Sequence, residues 1–199
     1  SIILGFIFVG GILWGGIYYW KNLRGVGPVV FPPPEKIEDK LSPAQNNTEF
    51  PLNLPDGFSI SIFAKDLPGA RVMAFLKGEA LEDMVVSQTS QGKVTLLSIE
   101  NGEVVHYSTI FSGLRKPHGL AFDPEDPGML YYAQEDRIRR IRIHADSSPE
   151  EIAKLPSRGG HFTRTIRIFD NRLYISIGSS CNVCNEKDPR RATIQTCDL

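Results

Sequence analysis

The sequence lacks an excess of charge of either sign. Lysine and arginine number 22 against 23 aspartates and glutamates, so the formal net charge at neutral pH is −1. Proteins that bind nucleic acids through the phosphates carry a basic excess or a basic face. We therefore expect no nucleic-acid partner. Aliphatic and aromatic residues are plentiful and indicate a globular chain, because disordered chains are poor in them.

Cysteine is also scarce, with three in the whole chain. Cys181 and Cys184 form a C-x-x-C pair, and Cys197 stands apart. Two neighbouring cysteines are too few for a four-ligand zinc site, and Asn185 in place of histidine excludes a c-type haem signature. We predict a disulfide between Cys181 and Cys184 in an oxidising compartment. Two free thiols, or a metal or redox role, are the alternatives.

Residues 1–20 contain no charged side chain at all. Twenty helical residues span roughly 30 Å, the thickness of the hydrocarbon core of a membrane. The run therefore predicts a transmembrane anchor over residues 1–22 that holds the rest of the chain on the periplasmic or extracellular side. A secretory signal peptide that is later removed is the alternative. Four aromatic residues end the run, as in the aromatic belt of a membrane interface: Trp14, Tyr18, Tyr19 and Trp20.

The composition changes over residues 23–55, where proline and polar residues replace the apolar run. The segment Pro32-Pro33-Pro34 favours polyproline II, which is a semi-rigid spacer. No apolar period continues through this region. We predict a linker that tethers the following domain.

A long repeat occupies residues 56–199. Each repeat has two or three short stretches of β-branched and aromatic residues, separated by turn residues such as Asp170-Asn171. Phe75, Phe122 and Ile168 take matching positions in successive repeats. Short strands in tandem suit antiparallel meanders, and a period of about 40–50 residues is typical of propeller blades.

The repeat therefore predicts an all-β fold, with about three blades of a six-bladed β-propeller. A β-sandwich with chance spacing is the alternative. Three blades do not close a ring, because known propellers have at least four. We expect the sequence to be the N-terminal part of a longer protein.

Alignment of the repeats places Arg71, His118 and Arg164 at the start of the first strand of successive blades. The first strand of each blade lines the central channel of a propeller, so these side chains are expected at one mouth. His161 lies in the loop that leads to Arg164. Convergence of polar groups on one mouth indicates a small-molecule site. Cationic groups favour an anionic ligand there.

The stretch over residues 159–193 has the most informative pattern. A histidine is followed by an aromatic residue, Thr-Arg and a strand, then by Gly-Ser-Ser-Cys-Asn-x-Cys and Arg-Arg-Ala. This pattern resembles the glucose/sorbosone dehydrogenase family, the pyrroloquinoline-quinone-dependent pyranose dehydrogenase β-propellers, and its sorbosone-dehydrogenase branch in particular. Weaker resemblance covers residues 54–58 and 117–119. The matching residues are His161, Phe162, Thr163, Arg164, Gly178, Ser179, Ser180, Cys181, Asn182, Cys184, Arg190, Arg191 and Ala192.

The resemblance implies an enzyme that oxidises a sugar hydroxyl or a hydrated aldehyde by hydride transfer to pyrroloquinoline quinone. His161 stands where the family has its general base, and imidazole suits that role because it exchanges a proton near neutral pH. Calcium is the second cofactor implied, with ligands expected beyond residue 199. In soluble glucose dehydrogenases an aspartate precedes the histidine, whereas this chain has Gly160, so the resemblance names no partner for the ring. The candidate cofactor-binding residues are Arg164, His118 and Arg71.

A non-redox propeller, either a binding scaffold or a lactonase-like hydrolase, is the alternative function. Propellers of the lactonase type hold a metal with acidic and asparagine side chains at the channel mouth. The aligned positions here hold two arginines and a histidine instead. These groups favour an anionic quinone over a divalent metal.

Overall fold

The computed structural model describes residues 2–23, 42–77 and 82–199. The chain divides into two compact units, residues 1–61 and residues 62–199. The proline-rich segment Pro32-Pro33-Pro34 lies outside the described residues. The domain boundaries expected after residues 22 and 55 stay predictions.

The first unit begins with helix α1, Ile2–Tyr18, followed by a π-helical turn at Tyr19–Leu23. α1 has 17 residues, which at 1.5 Å per residue gives about 26 Å. A membrane span needs roughly 20 residues. In the part of the chain that the structure describes, no helix is long and apolar enough to cross a membrane. The structure therefore does not support the transmembrane anchor predicted over residues 1–22.

Two short strands, β1 (Gln45–Asn47) and β2 (Ser59–Ser61), pair in parallel within the first unit. The Asn46 side chain accepts hydrogen bonds from the main chain and the hydroxyl of Thr48, and donates to the Phe50 carbonyl at 2.7 Å. Such local side-chain bonds fold a polar segment into a turn. This stretch belongs to the predicted linker over residues 23–55.

Three antiparallel sheets build the second unit. The first sheet has the order β3-β4-β5-β6, so each strand pairs with the next one along the chain. Asn101 and Gly102 form the two-residue turn between its last two strands, and both have positive φ angles, as a type I′ turn requires. The strands of this first sheet are β3 (Ala70–Lys77), β4 (Glu82–Gln88), β5 (Lys93–Glu100) and β6 (Glu103–Phe111).

The second sheet repeats this meander with β7 (Leu120–Phe122), β8 (Met129–Ala133), β9 (Arg137–Arg142) and β10 (Glu150–Lys154). Ion pairs help to join its outer strand, β10, to β9. Each pair joins an arginine of β9 to a glutamate of β10 at 2.9 Å: Arg137 with Glu151, and Arg140 with Glu150.

The third sheet consists of β11 (Ile166–Phe169), β12 (Arg172–Ile177) and β13 (Thr193–Asp198), in that order. Asp170 and Asn171 join β11 to β12 with positive φ angles, again as in a type I′ turn. The all-β prediction is confirmed for the second unit.

The core lies between successive sheets. Val85, Leu96 and Tyr132 belong to a cluster that packs the first sheet against the second. Tyr131 and Ile175 belong to another, which packs the second sheet against the third. Because apolar side chains of both neighbours fill each gap, the hydrophobic effect holds successive sheets together.

The first strands of the three sheets are neighbours, because β7 contacts β3 on one side and β11 on the other. Ser87 links the first two sheets at this point. Its hydroxyl donates to the His118 carbonyl at 2.8 Å and accepts from the Val72 amide at 3.1 Å. The starts of β3, β7 and β11 are thereby brought to the same place, which is where the candidate site residues lie.

Candidate functional site

The structure brings together the three positions that the repeat aligned. Arg71 and Arg164 are both close enough to His118 for their charges to change its pKa. Burial is the main cause that lowers the pKa of His118, the positive charges of both arginines lower it further, and a hydrogen bond to the Arg164 carbonyl opposes them. The three residues are called the strand-start cluster below. The cluster contains two positively charged arginines, and the lowered pKa keeps His118 neutral at neutral pH.

His118 itself is 8% exposed. Its Nδ1 atom is buried and has no hydrogen-bond partner among the described residues. The next residue, Gly119, packs against the Arg164 carbonyl so closely that a side chain there would overlap with it. The glycine in Pro117-His118-Gly119 is therefore required by the close approach of β7 to the start of β11.

Arg164 is completely buried. Its guanidinium donates to three main-chain carbonyls, those of Pro156 at 2.7 Å, Thr163 at 2.8 Å and His161 at 3.1 Å. Burial and the nearby charge of Arg191 lower the pKa of Arg164, while Glu135 raises it. These bonds hold the loop of residues 156–163, which carries His161. The Nε–H of Arg164 has no partner among the described residues.

A second buried arginine supports the same loop. Arg191 is 8% exposed and donates from Nη2 to the Ser157 carbonyl at 2.6 Å. Its neighbour Arg190 is exposed and forms an ion pair with Asp188 at 2.8 Å, whereas Arg191 lies inside. Charged residues are rarely buried, so sequence reasoning had no basis for separating the two.

His161 is exposed, and its Nε2 atom lies 2.9 Å from the Oδ1 atom of Asn182. An amide oxygen only accepts hydrogen bonds, so this contact is a hydrogen bond in the tautomer whose Nε2 carries the hydrogen and whose Nδ1 has the lone pair. Gly178 packs directly against His161, because a β-carbon at Gly178 would lie 2.7 Å from the His161 β-carbon. Asn182 is thus the partner that the sequence did not identify.

Asn182 lies in a short loop closed by the Cys181–Cys184 disulfide, while Cys197 is a free thiol. The Ser179 hydroxyl donates to the Cys181 carbonyl at 2.8 Å. The Ser180 amide donates to the Glu186 carboxylate at 2.5 Å. The loop is therefore fixed at several points around the residue that bonds to His161.

A buried carboxylate that sequence reasoning missed lies beside the cluster. Glu135 is 2% exposed, and it accepts from Arg115 at 3.1 Å and from the Arg158 amide at 2.9 Å. Burial alone would raise its pKa, but the Arg158 amide, Lys116 and Arg115 together lower it. Lys116 also lies over the Phe162 ring, 4.4 Å from its centre. Glu135 thereby joins the second sheet to the loop of residues 156–163.

Arg71 differs from the other members of the cluster because it is exposed. It also lines a cavity of about 330 Å³ between the segment over residues 62–67 and the first sheet. Most of the other lining side chains are apolar, including Phe63, Met73 and Met84. Within the described residues no group of three or more histidines, cysteines, aspartates or glutamates could hold a metal ion.

No protein family and no curated protein matches the sequence. Among solved structures, the chain is similar to the holo form of the PQQ domain of pyranose dehydrogenase from Coprinopsis cinerea, with a TM-score of 0.66 and 18% sequence identity. The similarity covers 78% of this chain and 39% of that structure, so the chain spans about two fifths of its length. The three sheets therefore have the fold of part of a PQQ domain.

Proposed function

We propose that this chain is part of a pyrroloquinoline-quinone-dependent dehydrogenase that oxidises a sugar hydroxyl or a hydrated aldehyde. One observation carries the proposal: the main chain of His161, whose Nε2 is bonded to Asn182, is joined directly to Arg164 of the positive strand-start cluster. A proton acceptor beside a positive mouth suits an alcohol that loses its proton next to an anionic cofactor. The likeness to a PQQ domain supports the proposal, because it shows that the chain has a fold of the kind that binds this cofactor.

The three sheets are, in this proposal, consecutive blades of a six-bladed propeller. The contacts of β7 with β3 and β11 support it, because adjacent first strands are what a ring of blades around one channel has. The share of the PQQ domain that the chain covers agrees with a part of such a ring. A β-sandwich would instead stack two sheets face to face.

The strand-start cluster and its surroundings fit an anionic quinone. His118 Nδ1, Arg164 Nε and Arg191 Nη1 are buried polar atoms without a partner among the described residues. Buried polar atoms are normally hydrogen-bonded, so unpartnered atoms on these three residues suit a polar ligand. We assign Arg71, His118 and Arg164 to holding the carboxylates of the quinone, since guanidinium groups bind carboxylates well.

The quinone, when bound, would accept the hydride from the substrate carbon. His161 would take the proton of the substrate hydroxyl at Nδ1, and the alkoxide that results releases hydride more readily than the alcohol does. Arg164 stays charged and does not exchange protons, so its assigned task is to hold an anion and the loop of His161.

Calcium and a location outside the cytoplasm complete the proposal. Calcium is proposed as the second cofactor of the whole enzyme, and no residue of this chain is assigned to it. The Cys181–Cys184 disulfide supports an extracytoplasmic location, because disulfides persist in oxidising compartments.

Enzyme kinetics of the full-length protein, loaded with quinone and calcium, test this function. Aldoses and sorbosone are screened with an artificial electron acceptor. His161→Gln should lower kcat by about 10²–10⁴-fold if the ring is the general base, while quinone affinity changes little. The matched control is His106→Gln on β6, an exposed histidine, which should leave kcat unchanged.

Two results would refute the proposal in different ways. Wild-type protein that binds no quinone and oxidises nothing would favour a binding scaffold or a lactonase-like hydrolase. A wild-type dehydrogenase whose His161→Gln variant keeps its full kcat would leave the activity in place and remove His161 as its base.

A further inference from the structure

The bond between His161 and Asn182 decides which nitrogen of the ring is free. A neutral imidazole has one N–H and one lone pair, and the two can exchange places. The Asn182 oxygen, 2.9 Å from Nε2, accepts only from the Nε2–H form. Without that bond, no other side chain among the described residues would select a tautomer for His161.

His161 and Asn182 are both exposed, so the hydrogen bond between them competes with hydrogen bonds to water. It is effective only if the two groups are already held in position, because ordering free side chains costs conformational entropy. The structure supplies such constraints. The Gly160 amide donates to the Ser180 carbonyl at 2.7 Å and the His161 amide to the Ser179 carbonyl at 3.3 Å, so the two loops are bonded side by side.

The disulfide acts on the Asn182 side of the bond. Asn182 is one of two residues between Cys181 and Cys184, and the covalent ring leaves this short segment few conformations. Opening the ring would leave the main-chain bonds of Ser180 in place, but it would remove the covalent restraint on the main chain at Asn182.

We propose that Asn182 is a positioning residue that fixes the Nε2–H tautomer and the orientation of His161, and that the Cys181–Cys184 disulfide holds Asn182 in place for this task. The role of the free Nδ1 atom as a base rests on the proposed function. The tautomer does not, because it is a property of the protein without quinone, calcium or substrate.

Nitrogen NMR of protein labelled at the histidine rings tests the tautomer directly. The chain has four histidines, and His161→Gln identifies the signals of His161 by their loss. Above the titration range of the ring, wild-type His161 should show Nε2 protonated and Nδ1 unprotonated. Asn182→Ala should give averaged signals from both tautomers. Asn182→Asp should restore the wild-type pattern, because a carboxylate accepts the same hydrogen.

Asn185→Ala is the matched control, since Asn185 is exposed, directly follows the disulfide loop and has no side-chain hydrogen bond among the described residues. It should leave the His161 signals unchanged. A double Cys181→Ser, Cys184→Ser variant should shift them toward the averaged pattern of Asn182→Ala. Wild-type-like signals in the double variant would overturn the role of the disulfide, and wild-type-like signals in Asn182→Ala would overturn the role of Asn182.

Kinetics of the full-length enzyme separate this inference from the proposed function. Loss of one net hydrogen bond predicts that Asn182→Ala lowers kcat by about 3- to 10-fold, with KM nearly unchanged. If the NMR result holds but wild-type protein oxidises no sugar, the positioning of His161 stands and the proposed function fails. If sugar is oxidised but Asn182→Ala changes neither the tautomer nor kcat, the function stands and this inference fails.

Discussion

Gly178 and His161 are in contact across two loops, and the contact leaves no room for a side chain. A β-carbon at Gly178 would lie 2.6 Å from the His161 carbonyl oxygen and 2.7 Å from its β-carbon. Gly178→Ala should therefore displace the loop of His161 and lower stability by about 1–3 kcal/mol, as overpacking does. Thermal unfolding measures this. In the control, Gly128→Ala, the nearest atom is the end of the Arg142 side chain at 3.0 Å, which can move. Equal melting temperatures for the two variants would show that the contact between Gly178 and His161 can accommodate a methyl group, which would contradict the prediction.

Arg164 should matter for stability before any ligand is bound. Arg164→Lys keeps the charge but not the fork that reaches three carbonyls, so buried acceptors are left without donors. We expect a loss of about 2–4 kcal/mol in denaturant unfolding. Arg172→Lys is the control, because Arg172 forms an exposed ion pair with Asp198 that should contribute little. A small effect of Arg164→Lys, equal to that of the control, would contradict the structural role.

His118 should make the protein sensitive to acid. Its pKa in the folded protein is lowered below the ordinary value of 6.5, so the unfolded chain binds the proton more readily than the folded one. The stability that this group contributes is complete above about pH 6.5 and is lost as the pH falls through the lowered pKa. Melting temperatures between pH 7 and pH 5 should therefore fall less steeply in His118→Gln than in the wild type. His106→Gln should keep the wild-type slope, and a His118→Gln slope equal to it would refute the assignment.

Arg71 is the member of the strand-start cluster that can be changed without disturbing the core, because it is exposed. Arg71→Gln should weaken quinone binding by the full-length protein, and added salt should reduce the difference from the wild type. Arg167→Gln, an exposed arginine on β11, is the control for a general loss of positive charge. Titration of quinone at two salt concentrations gives the result. Equal quinone affinity in all three proteins would exclude Arg71 from the site.

The strands nearest the cluster could be predicted because their pattern is apolar and repeats. The matching positions of Phe75, Phe122 and Ile168 fall in β3, β7 and β11. The outer strand β10 could not be predicted in this way, because Glu150–Lys154 is mostly charged. Two ion pairs between side chains help to join it to β9. The spacing of apolar residues predicts which face of a strand is buried, but it does not predict which charged side chains pair with each other.

The site divides in the same way. Motif and period pointed to His161 and the three cluster positions as candidates, and their roles stay predictions. Asn182 could not be named as the partner of His161, because the bond joins two loops whose relative position depends on the whole third sheet. The transmembrane anchor predicted over residues 1–22 is not supported, for a related reason. Hydropathy counts apolar residues, whereas the helix ends at Tyr18 and gives way to a π-helical turn.

The two arginines near His118 have a consequence for how the protein balances folding against binding. Their positive charges help to lower the pKa of His118, so they add to the acid sensitivity of the folded protein. An anion that binds beside them only in the folded state stabilises that state, so heat resistance should rise with anion concentration. Arg71→Gln removes one of these charges, so we expect a protein that tolerates acid better than the wild type but binds its anionic ligand less well.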